Sequence, residues 1–156
     1  MSLDHGAPVA WRIYRWNEWS NDQLYEALRL RSQIFVVEQN CVFPDMDGID
    51  PACEHLCGTD PSGKLLAYAR LLPPGLKFPE ASIGRVVVDE TARGTQLGRA
   101  LMCEAMAACR SRYPATPIVI GAQQRLERFY ASLGFATCSA AYLEDGIWHV
   151  DMRIES

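Results

Sequence analysis

Apolar positions along the chain follow two periods, and the switches between them mark out the elements. Over 9–16 apolar and polar residues alternate, which predicts a first strand. Ser20 and Gln23 then form a Ser-x-x-Gln capping box. Leu24, Ala27, Leu28, Arg31, Ile34 and Phe35 follow at three- and four-residue steps, so a helix starts there with Glu26, Arg29 and Gln33 on its wet side. The period fails between Glu38 and Glu54, where Pro44, Gly48 and Pro51 alternate with Asp45, Asp47 and Asp50, and an irregular loop is expected. Segments 55–59 and 64–72 flank Asp60-Pro61-Ser62-Gly63 and read as an antiparallel hairpin, ended by Pro73-Pro74-Gly75.

Ile83, Val86, Val87 and Val88 predict the next strand. Leu97, Leu101, Ala105 and Ala108 share one face of a helix over 97–113, which Pro114 and Pro117 end. Ile118, Val119 and Ile120 read as a buried strand parallel to the one before that helix, which completes a βαβ unit. A further amphipathic helix over 123–133 carries Leu126, Phe129, Tyr130 and Leu133 on one face, with Gly134 as its C-cap. Strands over 135–143 and 147–154 flank Asp145-Gly146, a dipeptide suited to a type I′ turn.

This order of strands and helices makes the chain mixed α/β. At 156 residues it forms one domain, placed at 9–156 after a tail at 1–8. With 49% hydrophobic and 22% charged residues it is an ordinary globular sequence. A net charge of -4 works against nucleic acid as a partner and suits a cationic acceptor. The first ten residues hold no apolar core, so neither a secretory signal nor a membrane span is expected, and the cytoplasm is the expected location. The six cysteines then read as reduced thiols. Cys53, His55 and Cys57 have the look of half a zinc site, but no second pair follows, and no metal is expected.

The junction after 83–88 carries the chemistry. Strand, then Arg93-Gly94-Thr95-Gln96-Leu97-Gly98, then helix places free amides at the positive end of a helix dipole, a site for a diphosphate-bearing ligand. Together with Phe129-Tyr130-Ala131-Ser132-Leu133-Gly134-Phe135 after a buried strand, this junction resembles the GNAT superfamily of N-acetyltransferases. Phe35-Val36-Val37-Glu38-Gln39-Asn40, Asp45-x-Asp47-Gly48, His55, Ala67-Tyr68-Ala69-Arg70 and Gly121-Ala122-Gln123 are similar to its ElaA-like branch.

The resemblance implies a twisted mixed sheet of six to seven strands with helices on both faces, acetyl-coenzyme A (acetyl-CoA) as donor, and a small-molecule or peptide amine as acceptor. Donor binding then falls to Arg93, Gly94, Thr95, Gln96, Leu97, Gly98 and Arg99, with the edge of Val86, Val87 and Val88 pairing with pantetheine amides. Gln96 stands where the family has glycine, which is cheap where residue 96 has helical dihedrals. Tyr130 matches the tyrosine that protonates the departing thiolate, and a backbone N–H near Val88 is the candidate oxyanion donor. The general base stays open among Glu38, His149 and His55, and the acids Asp45, Asp47 and Asp50 could attract a cationic acceptor. Phe43, Tyr142 and Trp148 either line an apolar part of the acceptor pocket or form a homodimer interface. Three other readings remain: a non-catalytic acyl-CoA binding module, a zinc protein, and an acyl-homoserine-lactone-synthase-like acyltransferase.

Overall fold

A computed structural model describes residues 8–156. In chain order the elements are β1 (Ala10–Arg15), α1 (Asn21–Arg31), β2 (Glu54–Thr59), β3 (Leu65–Leu72), β4 (Ser82–Val88) and α2 (Leu97–Arg112). Then come β5 (Ile118–Gln123), α3 (Glu127–Ser132), β6 (Ala136–Thr137), β7 (Tyr142–Glu144) and β8 (Ile147–Ile154). Of the expected tail, residues 1–7 lie outside the described residues, and Val9 already packs on the core.

Strands β1 to β4 form an antiparallel meander in chain order, and β5, β8 and β6 form a second antiparallel sheet with β7 also on β8. The two sheets meet at one parallel bridge, Ala81 to Ile118, where the Val119 amide donates to the Ala81 carbonyl at 2.9 Å. This is the parallel βαβ relation expected from sequence, confined to one end. Beyond it β4 and β5 have no ladder, so the sheets part like a V.

Helices cover both faces, as the resemblance implied. One core cluster gathers Leu71, Ile83, Leu101, Met102, Ile118, Ile120 and Met152 under α2 and α3, and the other gathers Tyr14, Ala27, Leu30, Ile34, Tyr68 and Val87 under α1. Strand β4 serves both clusters through a bulge. Tyr68 pairs with Val87 but Arg70 pairs with Gly84, so β4 carries one extra residue, and Arg85 within it has a left-handed φ of 49°. An insertion of one residue switches the face of every side chain beyond it. Ile83 therefore faces α2 while Val87, four residues on, faces α1.

Three local features differ from the sequence pattern. The structure has eight strands, not six or seven, because the expected strand over 135–143 breaks into β6 and β7, each pairing with a different part of β8. The last helix is shorter than expected: β5 runs on to Gln123 and a single 3-10 turn precedes α3. Helix α1 continues beyond Arg31 as a π-helical stretch, Ser32–Glu38, whose widened turns close with Gln39 N–H to Ile34 O at 3.2 Å and Cys41 N–H to Val36 O at 2.9 Å. The hairpin turn is as expected, with positive φ at both Asp145 and Gly146.

Candidate active site

The V between β4 and β5 is a cleft of about 530 Å³, within the range of small-molecule sites. Strand β4 lends it an open edge. Asp89 N–H donates to Leu66 O, and alternate residues of a strand turn their amides to opposite edges, so the Val87 amide goes to β3 and those of Val86 and Val88 face the gap.

The turn leading into α2 closes one end of the cleft. Gly94 has φ of +79°, a conformation that only glycine adopts without strain, and Gln96 at the N-cap has φ 64° and ψ 15°. Residue 96 is thus left-handed, not helical, and its β-carbon costs about 1 kcal/mol or more there. Its side chain makes no capping hydrogen bond, and the first turn of α2 holds no acid. The amides of Leu97, Gly98 and Arg99 are consequently the uncapped donors of a 16-residue helix. A β-carbon on Gly98 would meet Val88 and Phe129 only at ordinary contact distances of 3.9 and 4.0 Å, so the fold itself does not demand glycine at this point of the cleft wall.

Tyr130, on α3, is nearly buried against Phe129 and Phe135 and lines the cleft. Burial pushes its phenol up to about 12, which keeps it protonated at neutral pH. His149, on β8, lines the opposite wall. Its Nδ1 is 2.8 Å from the Ile147 carbonyl, an acceptor only, so Nδ1 carries the hydrogen and Nε2 keeps its lone pair. Glu144 Oε2 lies 3.8 Å from that Nε2, and the Tyr142 ring stacks on the imidazole with centroids 5.9 Å apart. Tyr142 itself turns away, its hydroxyl donating to Asp151 Oδ1 at 2.6 Å, so it supports His149 from behind. Phe43 lines the cleft, whereas neither Tyr142 nor Trp148 does: Trp148 alternates with Ile147 and His149 along β8 and lies in a separate shallow depression beside Gln124 and Arg125.

Glu38 is occupied. Arg93 Nη2 donates to its Oε2 at 2.6 Å, and that hydrogen bond, with the charge behind it, holds the carboxyl below its ordinary range. The π-turn brings Glu38 to this position. Beside it Gln39 Oε1 accepts from Gln123 Nε2 at 3.1 Å, and Cys41 Sγ lies 3.5 Å from the Asp145 carbonyl. Residues 38–41 thus strap the cleft mouth to the α2 turn, to β5 and to the hairpin in succession.

His55, Asp47 and Asp50 do not line the cleft, and Asp45, which does, is buried and taken up by arginines. His55 is fully buried, stacked on Trp19 at 4.3 Å, with Nε2 2.9 Å from the Asp50 carbonyl and Nδ1 2.6 Å from the Tyr68 hydroxyl. The carbonyl fixes the tautomer: Nε2–H donates to Asp50 O and Tyr68 donates to Nδ1. Burial lowers the imidazole pKa, and both nitrogens are taken, which removes His55 as a base and as a zinc ligand.

The three acids neutralise three arginines instead. Arg31 pairs with Asp45 and Asp50 at 2.8 Å each, and Arg70 with Asp47 at 2.5 Å and Asp50 at 3.0 Å. Arg85 lies 2.9 Å from Asp45, aligned too poorly for a hydrogen bond at that atom, while its Nη2 donates to the Asp45 carbonyl at 2.8 Å. Burial alone would raise the Asp50 and Asp47 carboxyls, but the hydrogen bonds and charges of Arg31 and Arg70 hold both below the ordinary range. Attraction of an acceptor by these acids is therefore ruled out by their partners. Glu144 and Arg85, which the sequence reading passed over, and Gln123, which it named only within a motif, are parts of the site or its frame. Glu144 had a signal, as the acid directly before the Asp145-Gly146 turn, and Arg85 had none.

With this geometry in view, comparison with known proteins gives the family. The GNAT acetyltransferase domain family matches residues 54–156. The chain belongs to the GNAT acetyltransferase family. A UPF0039 protein of Schizosaccharomyces pombe is 42% identical over 145 residues, 92% of this chain and 95% of its own length. Among solved structures, Escherichia coli ElaA is 39% identical and superposes with a TM-score of 0.88 over 95% of this chain and all of the other. An acyl-CoA N-acyltransferase from Pseudomonas aeruginosa is 38% identical, also at 0.88, over 94% of this chain and 99% of the other. The GNAT fold supports acyl-CoA-dependent acyl transfer in general. Among the described residues of this GNAT chain, no helix is long and apolar enough to cross a membrane.

Proposed function

We propose that this protein is an acyl-CoA-dependent N-acetyltransferase that moves an acetyl group from acetyl-CoA to an amine by direct attack. The observation that carries the reading is the uncapped start of α2 opening onto the gap between β4 and β5, with Tyr130 in its wall. Diphosphate oxygens bind the amides of Gly94 to Arg99 and the Arg93 guanidinium, and pantetheine lies along the free edge of β4. The Val88 amide faces the thioester oxygen, where negative charge develops in the tetrahedral transition state. Tyr130 gives its proton to the leaving thiolate, and its burial suits a group that must stay neutral until then.

His149 is the first base, because it lines the cleft, its Nδ1 is held by the Ile147 carbonyl, and Glu144 can share the proton that its Nε2 receives. Glu38 can serve only after Arg93 has exchanged it for diphosphate. Six unbridged thiols suit work in the reducing cytoplasm.

The test is thiol release from acetyl-CoA across a panel of amines, run beside calorimetry with acetyl-CoA. Tyr130→Phe should lower kcat by about 10²- to 10⁴-fold with little change in donor Kd. A Tyr130→Phe rate equal to wild type removes the assigned acid. Donor binding with no thiol release for any amine leaves a binding module, and no donor binding removes the whole reading.

A further inference from the structure

Most cations in the cleft wall already have partners. Arg93 is engaged by Glu38, Arg85 by Asp45, and Arg70 by Asp47 and Asp50. Lys77 and Arg125 also line the cleft, and neither forms an ion pair among the described residues. Arg125 belongs to the acetyl-donor end: its Nε donates to Gln123 Oε1 at 3.1 Å, and its charge acts on Tyr130 and Glu38. Lys77 stands elsewhere. Its Nζ lies 3.5 Å from the point that a β-carbon on Gly121 would occupy, with the Tyr142 hydroxyl 3.2 Å and Asp151 Oδ1 3.9 Å from the same point. Gly121 has no side chain, so β5 leaves room there for the ammonium. Asp151 Oδ1 is taken by the Tyr142 hydroxyl, and Glu80, the acid nearest to Lys77 in sequence, by Arg153 at 2.9 Å.

The opposite pole is acidic. Glu144 lies 3.8 Å from His149 Nε2, and Asp145 beside it also lines the cleft. Directly paired residues share a face of a sheet, so the pairs Gly121–Asp151 and Gln123–His149 put the two poles on one face, two residues apart along β5. That is about 7 Å at the usual rise per residue. One face thus carries an unpartnered cation at the Gly121 register and a base with its acid at the Gln123 register.

We infer that the acceptor carries a carboxylate as well as its amine, the two set several bonds apart as in 4-aminobutanoate. The ammonium is drawn to Glu144 and gives its proton to His149, while Lys77 receives the carboxylate over Gly121. A diamine would set its second cation against Lys77, and a plain alkylamine leaves that ammonium without a partner. The inference rests on reading the cleft as an acyl-transfer site.

The experiment follows thiol release from acetyl-CoA with 4-aminobutanoate, its uncharged amide 4-aminobutanamide, butylamine and butane-1,4-diamine, and measures acetyl-CoA Kd beside it by calorimetry. A hydrogen bond to a charged group corresponds to about 10- to 100-fold, so kcat/KM for 4-aminobutanoate should exceed that for the amide by this factor. Lys77→Met should cost 4-aminobutanoate about 10- to 100-fold more than it costs the amide, with acetyl-CoA Kd as the check that the donor site is intact. Lys77→Glu should turn the preference over to butane-1,4-diamine. An amide turned over as fast as 4-aminobutanoate, a wild-type preference for the diamine, or a carboxylate preference that survives Lys77→Met overturns the proposal. No turnover of any of these amines with donor bound overturns it as well. So does a faster reaction with succinyl-CoA than with acetyl-CoA that Lys77→Met abolishes, because the cation then serves the acyl group. Absence of donor binding is a separate result and strikes the acyl-transfer reading itself.

Discussion

The N-terminus of α1 is closed by its own side chains, whereas that of α2 is left open. At α1, Ser20 Oγ accepts from Gln23 N–H at 3.1 Å, Gln23 Oε1 accepts from Ser20 N–H at 2.8 Å, and Asp22 adds an acid to the positive end of the dipole. At α2 the cap is a left-handed Gln96 that bonds nothing, no acid is present, and Arg99 stands in the first turn. The contrast extends to the surroundings. Around α1 every arginine of the buried cluster meets an aspartate, and His55 has both nitrogens satisfied. Around α2 and α3, Tyr130 and His149 line a cleft. Three uncapped donors beside a free strand edge do nothing for stability, and they are where the proposed acetyl donor would bind.

The contrast can be broken from either side. Arg31→Met leaves buried Asp45 and Asp50 with Arg85 and Arg70 as their remaining partners, and should cost about 3 kcal/mol in urea unfolding, a large share of a domain's stability. Retention of wild-type stability would show that the buried ion cluster is not what secures the α1 side.

Acid sharpens the same point. Burial holds His55 below an unfolded imidazole, whose pKa is about 6.5. Its contribution is therefore full above about pH 6.5 and is lost as pH falls, since the unfolded chain takes up the proton first. Asp47 and Asp50 are held below the unfolded value of about 3.9, so their contribution is full above that pH and disappears as pH falls through their lower folded values. The Tm should decline in two stages on acidification, with His55→Gln removing the upper stage. A decline confined to below pH 4 would refute the assignment to His55.

At the helix starts themselves the effects are smaller. Gln96→Asp, which places a carboxylate over the free amides, should weaken acetyl-CoA at least about tenfold by calorimetry. Ser20→Ala should cost about 1 kcal/mol of stability and leave donor affinity unchanged. If Ser20→Ala weakened the donor and Gln96→Asp did not, the open and closed ends would have been assigned the wrong way round. The least effect is expected at Glu38→Gln, which frees Arg93 from an exposed partner and should tighten acetyl-CoA roughly twofold. Equal tightening in an Arg93→Gln background would trace it to plain repulsion of the phosphates.

What could be read in advance was what near neighbours decide. The capping box, the Asp145-Gly146 turn, the apolar face of α2 and the order of strands need only local rules, and they stand. The β4 bulge was not legible, because an extra residue shows only once β3 supplies the register. The pairing of Arg31, Arg70 and Arg85 with Asp45, Asp47 and Asp50 spans 14 to 40 residues, and acids in a proline-rich loop look solvated until those partners are known. Strand 135–143 broke because β8 offers its two ends to different segments, which composition does not encode. For the site, Tyr130 and the α2 turn came from motif and spacing. The engagement of Glu38 by Arg93 depends on a π-turn for which the pattern has no sign.

Among the described residues a single β-bridge, Ala81 to Ile118, ties the two sheets together, like the rivet of a pair of tongs. From Ile118 to Gln123 the jaw is about 17 Å long at the usual rise per residue. A one-degree change of angle at the rivet would therefore shift the tip by about 0.3 Å. The width of the gap at its open end is thus sensitive to packing far behind it, at the foot of the tongs.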